Sequence, residues 1–132
     1  MKKEIAGNQF YTISVDEEIN RMYITFRGEW KKPSQVPNLI SDHEKLLRHL
    51  KPGFTSLVDL SEMKTPSAEA VEVLTEAASM LEKADMKKQA QIIDKATMDV
   101  IRQSRGAMKD AGADDRMIQF TDPDEAEKWL DR

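Results

Sequence analysis

The chain has no cysteine in its 132 residues, which excludes disulfides, thiol chemistry and zinc–thiolate sites. It has only two histidines, so the side chain that most often acts as a general acid or base is scarce. No hydrophobic run reaches a membrane-spanning length, and the lysines near the N-terminus precede no apolar signal segment. We therefore expect a cytoplasmic protein that is not transmembrane and performs no thiol chemistry.

The chain also lacks a strong excess of one charge. Its 20 basic and 24 acidic residues alternate along the sequence and give a net charge of −4. Because nucleic acid binding requires a concentrated basic face, we expect no nucleic acid partner. Phosphate-binding glycine loops and a nucleophile elbow are missing, and no carboxylates and histidines have the spacing of metal ligands. The sequence predicts no metal, no cofactor and no catalytic residue.

What the chain does contain is an alternation of strand and helix patterns. Period-two alternation predicts two antiparallel strands over 9–17 and 21–30, joined by a tight polar turn. Apolar stripes of period 3.6 predict helices over 34–50 and 67–84, and a short apolar run predicts a strand over 54–61 between them. The remaining predicted elements are a strand over 88–94, a helix over 96–111, a strand over 116–120 and a final helix that Asp122 caps.

This order, β-β-α-β-α-β-α-β-α, predicts a single α/β domain over residues 1–132, with residues 1–8 as a flexible N-terminus. Since βαβ crossovers are right-handed, we expect a mainly parallel sheet with an antiparallel first strand and packed helices. An exposed first strand would leave an open sheet edge, and open edges invite pairing between chains. A homodimer is therefore one expectation for the assembly.

Three parts of the chain carry a family resemblance. The opening hairpin precedes alternating helices and strands, the strand segment Phe54–Met63 contains an Asp-Leu-Ser sequence, and Asp122–Leu130 contains Glu-Ala and Trp-Leu pairs. Together these features resemble the STAS domains, the SpoIIAA-like family of anti-sigma-factor antagonists, over nearly the whole chain. The resemblance implies a bacterial, non-enzymatic regulatory module that binds a protein partner. On that basis the partner surface would comprise Lys64, Thr65, Ser67, Glu69 and Glu72.

The phosphorylation site of that family is altered in this sequence. In the signalling members a serine or threonine opens the second helix and a glycine follows, but these positions fall on Ala68 and Ala70. Ser67 lies one residue earlier, so its phosphorylation is a hypothesis, and it competes with a helix cap formed by Thr65 and Pro66. We favour the cap. The departure places the resemblance with the uncharacterised STAS/SEC14-like branch.

Two other functions stay open beside the protein-binding module. The SEC14-like relationship implies a carrier or sensor of a small apolar or lipid-like ligand, which requires a cavity between the helices and the sheet. The candidate pocket residues are His43, on the stripe of the first helix, and Asp59, near the end of the central strand. Each also has a purely structural interpretation: His43 would pack at the edge of the core, and Asp59 would accept hydrogen bonds from N–H groups of the nearby loop. An enzyme that uses Asp59 as a general base is the least favoured function.

Overall fold

The structure, a computed structural model, describes residues 1–95 and 116–132. Six strands of this part form one sheet in the order β1-β2-β3-β4-β5-β6. The helix predicted over 96–111 lies outside the described residues. The strands are β1 (Lys3–Gly7), β2 (Tyr11–Asp16), β3 (Arg21–Gly28), β4 (Thr55–Met63), β5 (Lys88–Ile92) and β6 (Met117–Phe120). The helices are α1 (Leu39–Leu47), α2 (Ala68–Lys83) and α3 (Pro123–Leu130).

The sheet combines an antiparallel start with a parallel remainder. Strands β1, β2 and β3 pair antiparallel, whereas β3, β4, β5 and β6 pair parallel. Strand order follows chain order, since each new strand is added beside the one before it. The predicted α/β fold with a mainly parallel sheet is confirmed, and the antiparallel part comprises β1, β2 and β3 where one antiparallel first strand was predicted.

One strand was not predicted. The sequence predicts a flexible N-terminus over residues 1–8, but Lys3–Gly7 form β1, which pairs with β2 at the edge of the sheet. Only Ile5 and Ala6 of β1 are half-buried, and its other residues are exposed. A strand with so little apolar alternation is defined by its hydrogen-bonded neighbour, and the sequence pattern gives no signal for it.

The first predicted helix is shorter than expected. In place of a helix over 34–50, a 3-10 turn covers Pro33–Gln35 and α1 covers only Leu39–Leu47. Pro37 separates the two because proline disfavours helical geometry in the residue before it and has no N–H to donate. The boundaries of the other described helices and strands agree with the predictions to within two residues.

The sheet carries an apolar layer on each face. The larger layer packs under α1 and α2 and contains Ile13, Leu46 and Val58, whereas the smaller one packs under α3 and contains Leu57 and Leu130. Because side chains alternate along a strand, the neighbours Leu57 and Val58 of β4 serve opposite layers. The side chain of any residue in β3, β4 or β5 therefore faces one apolar layer or the other according to its place in this alternation.

A buried arginine fixes α3 to the sheet. Arg21 is 3% exposed, and its Nε donates to Thr55 Oγ1 at 2.8 Å. Its two terminal nitrogens donate to the carboxylates of Glu127 and, at 2.8 Å, Asp131. Each of the three guanidinium nitrogens thus donates a hydrogen bond, one to a sheet residue and two to carboxylates of the C-terminal segment.

Candidate functional site

The predicted partner residues occupy the loop after β4 and the first turns of α2. Lys64, Thr65, Glu69 and Glu72 are exposed, and Ser67 is half-buried. Glu69 and Glu72 are three residues apart on α2, so they lie on the same side of the helix. The segment 61–72 therefore presents one lysine and three glutamates to solvent, of which Glu62 lies before Lys64 and the other two lie on α2. We call residues 61–72 the partner segment.

Ser67 begins α2 and its hydroxyl is engaged on both sides. Its Oγ accepts a hydrogen bond from the N–H of Ala70 at 3.1 Å and donates one to the carbonyl oxygen of Lys31 at 2.6 Å. Its own N–H donates to the carbonyl oxygen of Trp30 at 2.9 Å. Ser67, and not Thr65 as expected, is the N-cap of α2. The residue also ties the helix to the chain that follows β3.

A cavity of about 270 Å³ lies between α2 and the sheet. Ile24 and Phe26 of β3 and Val58 and Leu60 of β4 form its floor. On the helix side the wall includes Val71, which is 45% exposed, so the cavity opens to solvent beside α2. The part of the wall that the structure describes contains no aspartate, glutamate, lysine or arginine. The cavity is thus a mostly apolar site with a few neutral polar groups.

His43 of α1 is one of these polar groups. It is 1% exposed, and its Nδ1 lies 2.8 Å from the carbonyl oxygen of Leu39. A carbonyl oxygen only accepts, so Nδ1 carries the proton and Nε2 is left as an acceptor. Burial lowers the pKa of His43, and the hydrogen bond to Leu39 and the charge of Asp42 only partly oppose this. His43 therefore lines the cavity as a neutral side chain at neutral pH.

Glutamines on β5 and β6 form a second polar group, which is absent from the residues predicted for the site. Gln119 Nε2 donates to Gln91 Oε1 at 3.1 Å, and Gln91 Nε2 donates to Gln89 Oε1 at 3.1 Å. Gln89 Nε2 in turn lies 3.4 Å from the hydroxyl of buried Ser56. Gln89 and Gln91 line the cavity. The alternation of glutamine with Ala90 and Ile92 in β5 was the available signal, because it places both glutamines on one face.

Asp59 is separated from this cavity. Its neighbours Val58 and Leu60 line the cavity, so Asp59 faces the opposite side of the sheet. Its Oδ1 accepts hydrogen bonds from the N–H of Ser61 at 2.9 Å and from the hydroxyl of Ser61 at 2.6 Å. The described wall of this cavity thus includes His43 but not Asp59. Asp59 instead stabilises the chain where β4 approaches its end.

The described residues contain neither a group of potential metal ligands nor a membrane-spanning helix. Within residues 1–95 and 116–132, no three histidine or acidic side chains come together as potential metal ligands. In the same part of the chain no helix combines the length and apolarity needed to cross a membrane.

Comparison with known proteins identifies the fold. No family model and no curated protein matches the chain. An uncharacterised protein of the DUF3478 family with a SpoIIAA-like fold, from Shewanella loihica, is 16% identical, with a TM-score of 0.67 over 95% of this chain and 98% of that one. An anti-sigma factor antagonist from Mycobacterium paratuberculosis is 15% identical, with a TM-score of 0.56 over 92% and 95%. Similarity at these identities concerns the fold and leaves function open. The chain has a SpoIIAA-like fold, as its resemblance to the STAS domains predicted.

Proposed function

We propose that the chain is a non-enzymatic regulatory module that binds a protein partner through the partner segment. The supporting observation is that this segment is exposed and charged yet anchored to the core at its centre. Ser67 bonds to two residues after β3, Lys31 and Trp30, and Trp30 is only 2% exposed. A surface held in one conformation loses little entropy on binding, which favours its use in recognition. One protein of similar fold is an anti-sigma factor antagonist.

The partner segment would recognise its protein partner through charged side chains at the edge of the interface. Lys64 supplies a cation and Glu69 and Glu72 supply anions, and all three are exposed. Charges of this kind act mainly on the association rate and on partner choice. Ser67 acts in this proposal as a positioning residue, since its hydroxyl already serves the cap and Lys31. Partner binding then requires no phosphate on the module.

Site-specific photo-crosslinking in cells tests this surface. A photoreactive residue at Glu72 is expected to crosslink a protein, whereas the same residue at Glu44, exposed on α1, is not. The charge reversals Lys64→Glu and Glu69→Lys should abolish the crosslink while the circular dichroism spectrum stays unchanged. Glu44→Lys is the matched control and should leave the crosslink intact. A crosslink that survives both reversals, or that forms equally at both positions, would show that the partner segment is the wrong surface.

The cavity favours a second candidate function, which is the carriage or sensing of a small apolar ligand. Its mostly apolar wall and its opening beside Val71 are the features that a ligand site requires. Native mass spectrometry of freshly purified protein tests this candidate, because a carried ligand adds mass that is lost on denaturation. Ala78→Leu should reduce the added mass, since Ala78 lines the cavity. Ser79→Leu, one residue away and outside the described wall, should not. Protein of unmodified mass throughout would count against the carrier.

A further inference from the structure

We propose that the cavity beneath α2 selects a neutral amphiphile, a molecule with an apolar body and an uncharged hydroxyl such as a medium-chain alcohol, over the carboxylate of the same length. This inference rests on the second candidate function, ligand carriage, and adds the chemical class of the ligand. It follows from the size of the cavity, from the apolar floor, from the lack of charge in the described wall, and from the kind of polar groups present.

The volume sets the size of the ligand. An engineered apolar cavity of about 150 Å³ binds benzene, so a cavity of roughly twice that volume accommodates about ten to twelve non-hydrogen atoms. The cavity measures about 270 Å³. A ten-carbon alcohol has this size, whereas a full-length membrane lipid is too large to be enclosed.

The floor determines what the body of the ligand is. Ile24, Phe26, Val58 and Leu60 all belong to the larger apolar layer or pack against it. Burial of each methylene group contributes about 0.8 kcal/mol, so an alkyl body supplies most of the binding free energy. The polar groups then decide between ligands that share this body.

The described wall offers no countercharge to an anion. It contains neither lysine nor arginine, and His43 is kept neutral by its burial. Transfer of an unpaired carboxylate from water into such a site is strongly unfavourable. A fatty acid would therefore have to leave its carboxylate in solvent or bind as the protonated acid, and both alternatives weaken its binding at neutral pH.

The polar groups that are present match a hydroxyl. Each glutamine amide has two N–H donors and a carbonyl oxygen with two lone pairs. Gln91 therefore keeps one N–H and one lone pair beyond its bonds to Gln89 and Gln119, and the carbonyl oxygen of Gln89, whose Nε2 already has two partners, keeps one lone pair. A hydroxyl both donates and accepts, and the glutamine side of the cavity supplies both functions. His43 Nε2 only accepts, so the geometry points to Gln89 and Gln91 as the residues that bind the hydroxyl.

Isothermal titration of the full chain with 1-decanol and with sodium decanoate, both below their aggregation limits, tests the selection. Wild-type protein is expected to bind decanol at least about tenfold more tightly than decanoate at pH 7.5. Gln91→Lys places a cation in the wall and should reverse the preference. Ser79→Lys is the matched control, because Ser79 is exposed on α2 and outside the described wall, and it should keep the wild-type preference. Gln91→Leu, which removes the amide without adding charge, should reduce decanol affinity alone.

The outcomes separate the two levels of the proposal. Equal binding of the two probes, or tighter binding of decanoate, would overturn the neutral-ligand inference while leaving ligand carriage intact. If decanol is preferred but Gln91→Lys and Ser79→Lys behave alike, the assignment of the hydroxyl to Gln89 and Gln91 is wrong. Binding of neither probe by wild-type protein would overturn both this inference and the carrier function on which it rests.

Discussion

Ser67 offers the sharpest test of how α2 is positioned. Ser67→Ala removes the hydroxyl that accepts from the N–H of Ala70 and donates to the carbonyl oxygen of Lys31. Loss of a serine N-cap costs typically about 1 kcal/mol. A side-chain hydrogen bond contributes roughly another 0.5 kcal/mol here, at the lower end of the usual range, because Lys31 is exposed and water can replace the hydroxyl. We expect the free energy of unfolding to fall by about 1.5 kcal/mol.

Urea denaturation followed by circular dichroism measures this change, and Thr65→Ala is the matched control. Thr65 is exposed and two residues from the cap, so its replacement should change the free energy of unfolding by less than about 0.5 kcal/mol. Ser67→Asp keeps an oxygen acceptor for Ala70 but loses the donor to Lys31. Its stability should therefore lie between that of Ser67→Ala and that of the wild type.

Two results would refute this reasoning. If Ser67→Ala and Thr65→Ala cost the same, the hydroxyl of Ser67 does not hold the helix as the hydrogen bonds indicate. If Ser67→Asp is less stable than Ser67→Ala, the N-terminus of α2 does not accept an anion at this position. In that case a phosphate on Ser67 would also disrupt the helix start.

Three further predictions concern the other buried or bonded polar groups. Arg21→Met should lower the free energy of unfolding, measured by urea denaturation, by about 2–3 kcal/mol, which is less than for a fully buried ion pair because Glu127 and Asp131 are partly exposed. The control Arg48→Met, at an exposed residue, should lower it by under about 0.5 kcal/mol. Equal losses of stability in the two variants would contradict the role of Arg21 in fixing α3. Because folding lowers the pKa of His43 below its ordinary value of 6.5, the unfolded chain takes up the proton first as pH falls below 6.5, and stability decreases. The stability advantage of wild type over His43→Gln should thus shrink by up to about 1.4 kcal/mol between pH 8 and pH 5.5, and a constant difference would contradict the buried neutral state. Asp59→Ala should cost about 1 kcal/mol because Ser61 loses its acceptor, and Asp59→Asn, which retains a carbonyl oxygen, should cost less than half of that; the reverse order would show that the charge matters more than the hydrogen bonds.

The fold was predictable where the signal is local. Strand alternation and helical stripes placed β2, β3, β4, α2, β5 and β6 to within two residues. The same logic failed for β1, because Lys3–Gly7 have little apolar pattern and become a strand through pairing with β2. It also extended α1 too far at both ends. At the N-terminal end the apolar stripe continues through Pro37 although a helix does not, and at the other end α1 stops at Leu47, before the stripe does.

The candidate site was predictable only in part. The sequence placed His43 on the apolar stripe of the first helix, and the structure places it in the wall of the cavity. The sequence could not show that Gln89, Gln91 and Gln119 form one hydrogen-bonded row, because that row depends on the register of β5 against β6. Nor could it choose between Thr65 and Ser67 as the cap, since both residue types cap helices well.

By itself, the sequence determined the order of the described strands and helices from β2 onward, the mainly parallel character of the sheet and the exclusion of thiol chemistry. These properties follow from residue type and from periodicity within one element. Only the tertiary structure decided that the hydroxyl of Ser67 reaches Lys31, a residue 36 positions away, and that Asp59 and His43 serve opposite faces of the sheet. Contacts of this kind depend on strand register and on where each crossover lies, and both are set by the packing of elements that are distant in the chain.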